Sequence, residues 1–145
     1  MLMKKIFLPL LTLSLFIMLH CAPALADYRE IRLYKSDPKA APYGEIFIEP
    51  VGFIPTDRLL HVNVYALRPN TLYDVWIVER NTGKITPAGF QGQNSFRTNY
   101  GGAGHFTDRS DEFILGWNKL EVSEHLADRK RLEDIKVILW TWMYQ

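Results

Sequence analysis

Between Leu59 and Leu67 the sequence LLHVNVYAL changes character at every residue: Leu60, Val62, Val64 and Ala66 fall on one side, His61, Asn63 and Tyr65 on the other. Side chains of an extended chain project to opposite faces in turn, so this pattern predicts a strand with one face in the core and one in water. LYDVWIVE, residues 72–79, repeats it, with Tyr73, Val75 and Ile77 opposed to Asp74 and Trp76. Arg68-Pro69-Asn70 and Asn81-Thr82-Gly83 supply the turn chemistry that ends each run. Shorter extended runs are predicted at 30–34, 44–50, 95–98, 104–108, 119–122 and 136–144. The whole reads as an all-β, antiparallel sandwich of about seven to eight strands, since short strands at such spacing bury an apolar layer by stacking two sheets.

Two stretches depart from the alternation. Residues 123–134, SEHLADRKRLED, are rich in helix formers and charge, with Leu126 and Leu132 too sparse for an apolar stripe, and predict a short charged loop or helical turn before the last strand. NYGGAGHF, residues 99–106, invites comparison with a phosphate-cradling loop. Its glycines do not follow G-x-G-x-x-G, no Lys-Ser or Lys-Thr pair follows, and the next residues are too broken and acidic for the helix that such a loop opens. The stretch instead predicts a hairpin turn, with Asn99, Gly101 and Gly102 at positive φ and Gly104 allowing a close backbone approach.

The first 26 residues follow a different logic. Lys4-Lys5, an apolar run from Ile6 to Leu19, and CAPALA ending at Ala26 have the charged, apolar, small-residue order of a secretory signal. The run contains Pro9 and falls short of the roughly twenty residues that a membrane-spanning helix needs. Cys21 follows His20 where a lipid-modified cysteine follows a small residue, so lipidation is not predicted. The expectation is a signal peptide, 1–26, cut near Ala26, and a single exported domain, 27–145, in the periplasm or outside the cell, with no membrane span in the mature chain.

Charge and cysteine content then exclude several classes. The chain has 17 basic and 16 acidic residues, and two of the basic ones are in the signal, so the processed protein is close to neutral. Binding nucleic acid through counterion release requires a basic surface, and no nucleic-acid partner is expected. Cys21 is the sole cysteine and leaves with the signal, which removes disulfides, zinc knuckles and thiol nucleophiles from the mature protein.

No motif carries catalysis. Ser36, Ser95, Ser110 and Ser123 lack a G-x-S-x-G context, and Asp108, Asp111 and Glu112 lack the spacing of a calcium loop. The mature histidines, His61, His105 and His125, show none of the i+2 or i+4 pairing that marks a metal site. Neither an enzyme nor a bound cofactor or metal is expected; a small metal-binding protein or metalloenzyme built on these histidines is the alternative.

The last strand is the most suggestive feature. Val137, Leu139, Thr141 and Met143 form one face and Ile138, Trp140, Trp142 and Tyr144 the other, so both faces are apolar or aromatic. One must line the core; the other is covered, or presents large rings to a partner, together with Trp76. The expected binding residues are Trp76, Trp140, Trp142 and Tyr144, and the expected partner is a protein, an envelope component or a carbohydrate.

Pro69-Asn70, Tyr73-x-Val75-Trp76-Ile77, Gly83, Gly89-x-x-Gly92, Phe96-x-Thr98-Asn99, Gly102-x-Gly104-x-Phe106 and Lys119-Leu120-Glu121-Val122 follow one another in an order that resembles small exported bacterial β-sandwiches. It is similar in particular to the C-terminal extracytoplasmic domain of anti-sigma-K-type factors, over Arg58 to Val122. The resemblance implies an immunoglobulin-like architecture and carries no catalytic signature.

Overall fold

A computed structural model describes residues 29–51, 58–110, 118–125 and 135–143. The expected signal peptide, residues 126–134 of the expected charged loop 123–134, and Tyr144 lie outside these residues; Ser123 and Glu124, expected to begin that loop, instead end a strand. The described chain is all β: two antiparallel sheets stacked face to face, with ten strands among the described residues. None of its helices is long and apolar enough to cross a membrane.

The first sheet has the order β1 (Arg29–Arg32), β3 (Tyr43–Pro50), β4 (Arg58–Tyr65), β8 (Gly104–Ser110). The second runs β2 (Tyr34–Lys35), β10 (Val137–Met143), β9 (Asn118–Glu124), β5 (Leu72–Val78), β6 (Ile85–Pro87). β7 (Ser95–Arg97) pairs with residues 72–74 of β5, and β6 with residues 76–78.

Alternation sets what lies between the sheets. Ile46, Ile48, Leu60, Val62, Val64 and Phe106 of the first sheet meet Tyr73, Val75, Ile77, Leu120, Val122, Leu139 and Met143 of the second. Register keeps these residues in layers, with Val62 opposite Ile46 on one side and Phe106 on the other. Burying this apolar surface is the main favourable term in folding.

Four details differ from the sequence expectation, each for a local reason. The N-terminal strand is divided. Its first part pairs with β3; the chain crosses at buried Leu33, whose N–H donates to the Gly44 carbonyl at 2.9 Å, and Tyr34 then pairs with Trp140. Gly44 makes room, because a Cβ there would lie 2.5 Å from the Asn63 carbonyl oxygen and 2.8 Å from the Leu33 side chain. Second, Ala66 is exposed at φ 56° and Leu67 takes the buried position, because one left-handed residue shifts the phase of alternation. Third, β6 is a short strand whose sequence, ITP, offers no alternation to detect.

The glycine stretch is a turn, as expected, but not a hairpin. β7 belongs to the second sheet and β8 to the first, so residues 98–103 arch from one sheet to the other. Asn99 holds the arch: its side-chain oxygen accepts from the Gly101 and Ala103 N–H groups at 2.9 and 3.0 Å. Only Gly102 of the three expected residues has positive φ, 77°. Gly104 is required by a side chain rather than by a backbone, because a Cβ would lie 2.4 Å from the Phe96 ring. The neighbouring β4–β5 connection packs against this arch through Leu67 N–H to the Gly102 carbonyl and the Thr98 hydroxyl to the Arg68 carbonyl.

Candidate binding face

The outward residues of the second sheet form cross-strand rows, because side chains at paired positions share a face. Trp76 pairs with Glu121, Glu121 with Trp140, and Trp140 with Tyr34, giving one row across four strands. Val78, Lys119 and Trp142 form the next row. Trp76, Trp140 and Trp142, far apart in sequence, therefore share a face.

Burial divides that face. Trp76 is 4% exposed, and its indole N–H donates to the Ser123 hydroxyl at 3.0 Å. It is packed in place and offers little contact area. Trp140 and Trp142 are half-buried, and Tyr34, beside Trp140 at a ring separation of 5.3 Å, is 59% exposed. Cations lie over both half-buried rings: the Lys119 ammonium is 5.0 Å from the centre of Trp140 and the Arg80 guanidinium 5.5 Å from that of Trp142. Such contacts use the negative face of the ring. Lys119 Nζ also lies 2.5 Å from Glu121 Oε1, so the buried carboxylate has a counter-charge. Tyr34, Lys119 and Arg80 were not identifiable as site residues in the sequence, because two strands and the turn after β5 bring them beside the tryptophans only in space.

At the inner end of the same face Asp74, 3% exposed, accepts from the Ser95 hydroxyl at 2.6 Å and is 2.8 Å from His125 Nδ1. Serine and histidine share one carboxylate oxygen, so the histidine does not stand between the serine and the acid as a nucleophile-activating base must.

The other two histidines lie on the opposite outer face. His61 and His105, on β4 and β8, stack at 5.9 Å, and the Thr107 hydroxyl lies between them. His61 Nε2 is 2.9 Å from Glu49 Oε1 and its Nδ1 is 3.0 Å from Thr107 Oγ1. His105 Nε2 meets the same hydroxyl, and its Nδ1 is 2.6 Å from the Asn63 amide. Imidazoles divided between the two outer faces cannot converge on one ion, and among the described residues no three His, Cys, Asp or Glu side chains form a group suited to a metal.

Comparison with known proteins finds no match: no family model fits the chain, and no curated protein or solved structure is significantly similar to it.

Proposed function

We propose that this chain is an exported, non-enzymatic binding module that docks a partner protein on the outer face of its second sheet. Export rests on the charged, apolar, small-residue order of residues 1–26. The observation that carries the docking reading is the row in which Trp76 is anchored at one end while Trp140 and exposed Tyr34 continue it outward, flanked by Lys119 and Arg80. Tryptophan, tyrosine and arginine dominate the energetics of protein interfaces, where large rigid rings supply area at small entropic cost. Lysine and arginine over the indole faces favour a protein surface over a flat sugar ring, which needs those faces free.

The test places a photoreactive amino acid at Tyr34 in the otherwise intact chain and irradiates the producing cells. A discrete protein adduct, reproduced with the purified partner and lost in Trp142→Ala, is the expected result. No protein adduct from a folded, exported chain, or an adduct unaffected by Trp142→Ala, would overturn the proposal.

A further inference from the structure

The outer face of the first sheet is built differently. Two adjoining depressions of about 490 and 330 Å³ share Asn63 and His105 as a common wall, and together form a groove over β3, β4 and β8. Tyr65, Arg97 and Asn99 line one end; Phe47, Glu49 and His61 line the other. His61 and Tyr65 are four residues apart on one strand, which spans roughly 13 Å.

The polar side chains in this groove are fixed before any ligand arrives. Glu49, His61, Thr107, His105 and Asn63 form a continuous hydrogen-bonded chain across three strands. With neutral imidazoles, Glu49 accepts from His61 Nε2–H, His61 Nδ1 accepts from the Thr107 hydroxyl, Thr107 Oγ1 accepts from His105 Nε2–H, and His105 Nδ1 is left an acceptor, so it is the NH2 of the Asn63 amide that faces it. Each member holds its neighbour's orientation, so little rotamer entropy is lost on binding.

The same groups retain unspent capacity. Among the described residues no partner is present for the second oxygen of Glu49, the far end of the Asn63 amide, the Asn99 side-chain nitrogen or the Tyr65 hydroxyl. Arg97 uses one nitrogen on the Asn70 carbonyl at 3.0 Å and has further N–H groups to offer. Beside them the Tyr43 and Tyr65 rings stack at 5.0 Å, with Tyr43 largely exposed.

A ligand that complements this surface must present paired groups that both donate and accept, and an apolar C–H face for the aromatic end. Vicinal hydroxyls on a pyranose ring meet both needs, since planar carboxylate, amide and guanidinium groups bridge adjacent hydroxyls. A polyanion is disfavoured, because Glu49 lines the groove and Glu45 stands between Tyr43 and Phe47 on the same strand face. A peptide strand gains nothing over β3 and β4, whose backbone is paired on both sides, and could add main-chain bonds at the free edge of β8 alone. We propose that this groove binds a neutral oligosaccharide of two or three residues, independently of the tryptophan face on the second sheet.

The test titrates the processed chain with four neutral trisaccharides, built of glucose, mannose, galactose and N-acetylglucosamine, and follows heat and the imidazole resonances of His61 and His105. Binding of at least one at millimolar concentration or below, with both imidazoles shifted, is expected. Asn63→Ala and Glu49→Gln should each weaken it about tenfold, which corresponds to about 1.4 kcal/mol, while Trp142→Ala leaves it unchanged. Two groove variants guard against a folding artefact, and each is checked by its near-ultraviolet spectrum. Absence of binding by all four sugars, binding insensitive to both folded groove variants, loss of binding in Trp142→Ala, or a preference for an anionic uronate trimer would overturn the proposal.

Discussion

The Lys119 ammonium lies over Trp140, 5.0 Å from the ring centre, while its nitrogen is 2.5 Å from Glu121 Oε1. One cation thus serves a ring face and a carboxylate whose side chain is only 11% exposed. Removing it by Lys119→Met leaves Glu121 without that counter-charge, and the expected loss in urea unfolding is about 1–3 kcal/mol. Lys119→Met combined with Glu121→Leu should recover most of it, because an apolar pair replaces a buried ion pair at little net cost. A double variant no more stable than the single one would show that the pair is not the cause.

Trp76 and Trp142 share a face but differ in burial, and their alanine variants should separate. Trp76→Ala removes a buried ring together with the hydrogen bond it donates to Ser123, whose hydroxyl keeps the Glu124 carbonyl, at an expected cost of about 3–5 kcal/mol. Trp142→Ala, at a half-buried position, should cost about 1–2 kcal/mol and leave the circular dichroism of the folded chain intact. Denaturant midpoints of the two variants decide this; equal losses would place Trp142 among the core residues.

Gly102 and Gly101 are adjacent, yet only one should resist alanine. A Cβ at Gly102 would meet the Leu67 carbonyl oxygen at 2.2 Å, and its φ of 77° is unfavourable for any L side chain, so Gly102→Ala should cost at least about 2 kcal/mol. Gly101→Ala brings a Cβ no closer than 3.4 Å to Asn99 Oδ1 and should change stability by less than about 0.5 kcal/mol. Thermal midpoints of the pair test the arch.

Asp74→Ala takes the shared acceptor from the exposed Ser95 hydroxyl and the partly exposed His125 Nδ1, both of which water can reach, with an expected loss of about 1–2 kcal/mol. Asp74→Asn keeps an acceptor oxygen and should cost less. If the two variants unfolded at the same denaturant concentration, the carboxylate's role as shared acceptor would be refuted.

Asn94 is 1% exposed, and among the described residues neither polar atom of its side chain has a hydrogen-bond partner. Buried unpaired amide groups are costly, so Asn94→Leu, which keeps the branching at Cγ, should be neutral or stabilising by up to about 1 kcal/mol. Asn94→Asp buries a charge and should destabilise. Stabilisation by Asp rather than Leu, measured by urea unfolding at neutral pH, would contradict this reasoning.

What the sequence determined is the direction of each side chain within a strand. Alternation is a property of the pleat itself, so LLHVNVYAL places Leu60, Val62 and Val64 inward, and ILWTWM sets Trp140 and Trp142 on the face opposite Leu139, Thr141 and Met143, before any partner strand is known; which of those two faces is inward was decided by the packing of the sheets. The phase of the pattern slipped where local geometry broke the pleat, at left-handed Ala66 and at the irregularity between Val137 and Leu139, and alternation did not foretell that both faces of β5 and β9 are buried. Which outward residues become neighbours was decided by strand pairing, a long-range choice that alternation does not encode. Placing β9 between β5 and β10 sets Glu121 between Trp76 and Trp140, and crossing the N-terminal strand at Leu33 brings Tyr34 beside them. The same tertiary choice put β4 next to β8, bringing His61 and His105 together around Thr107 and sending His125 to the other sheet. A strand carries its faces in its own covalent geometry, whereas a surface row exists only once hydrogen bonds have joined distant strands.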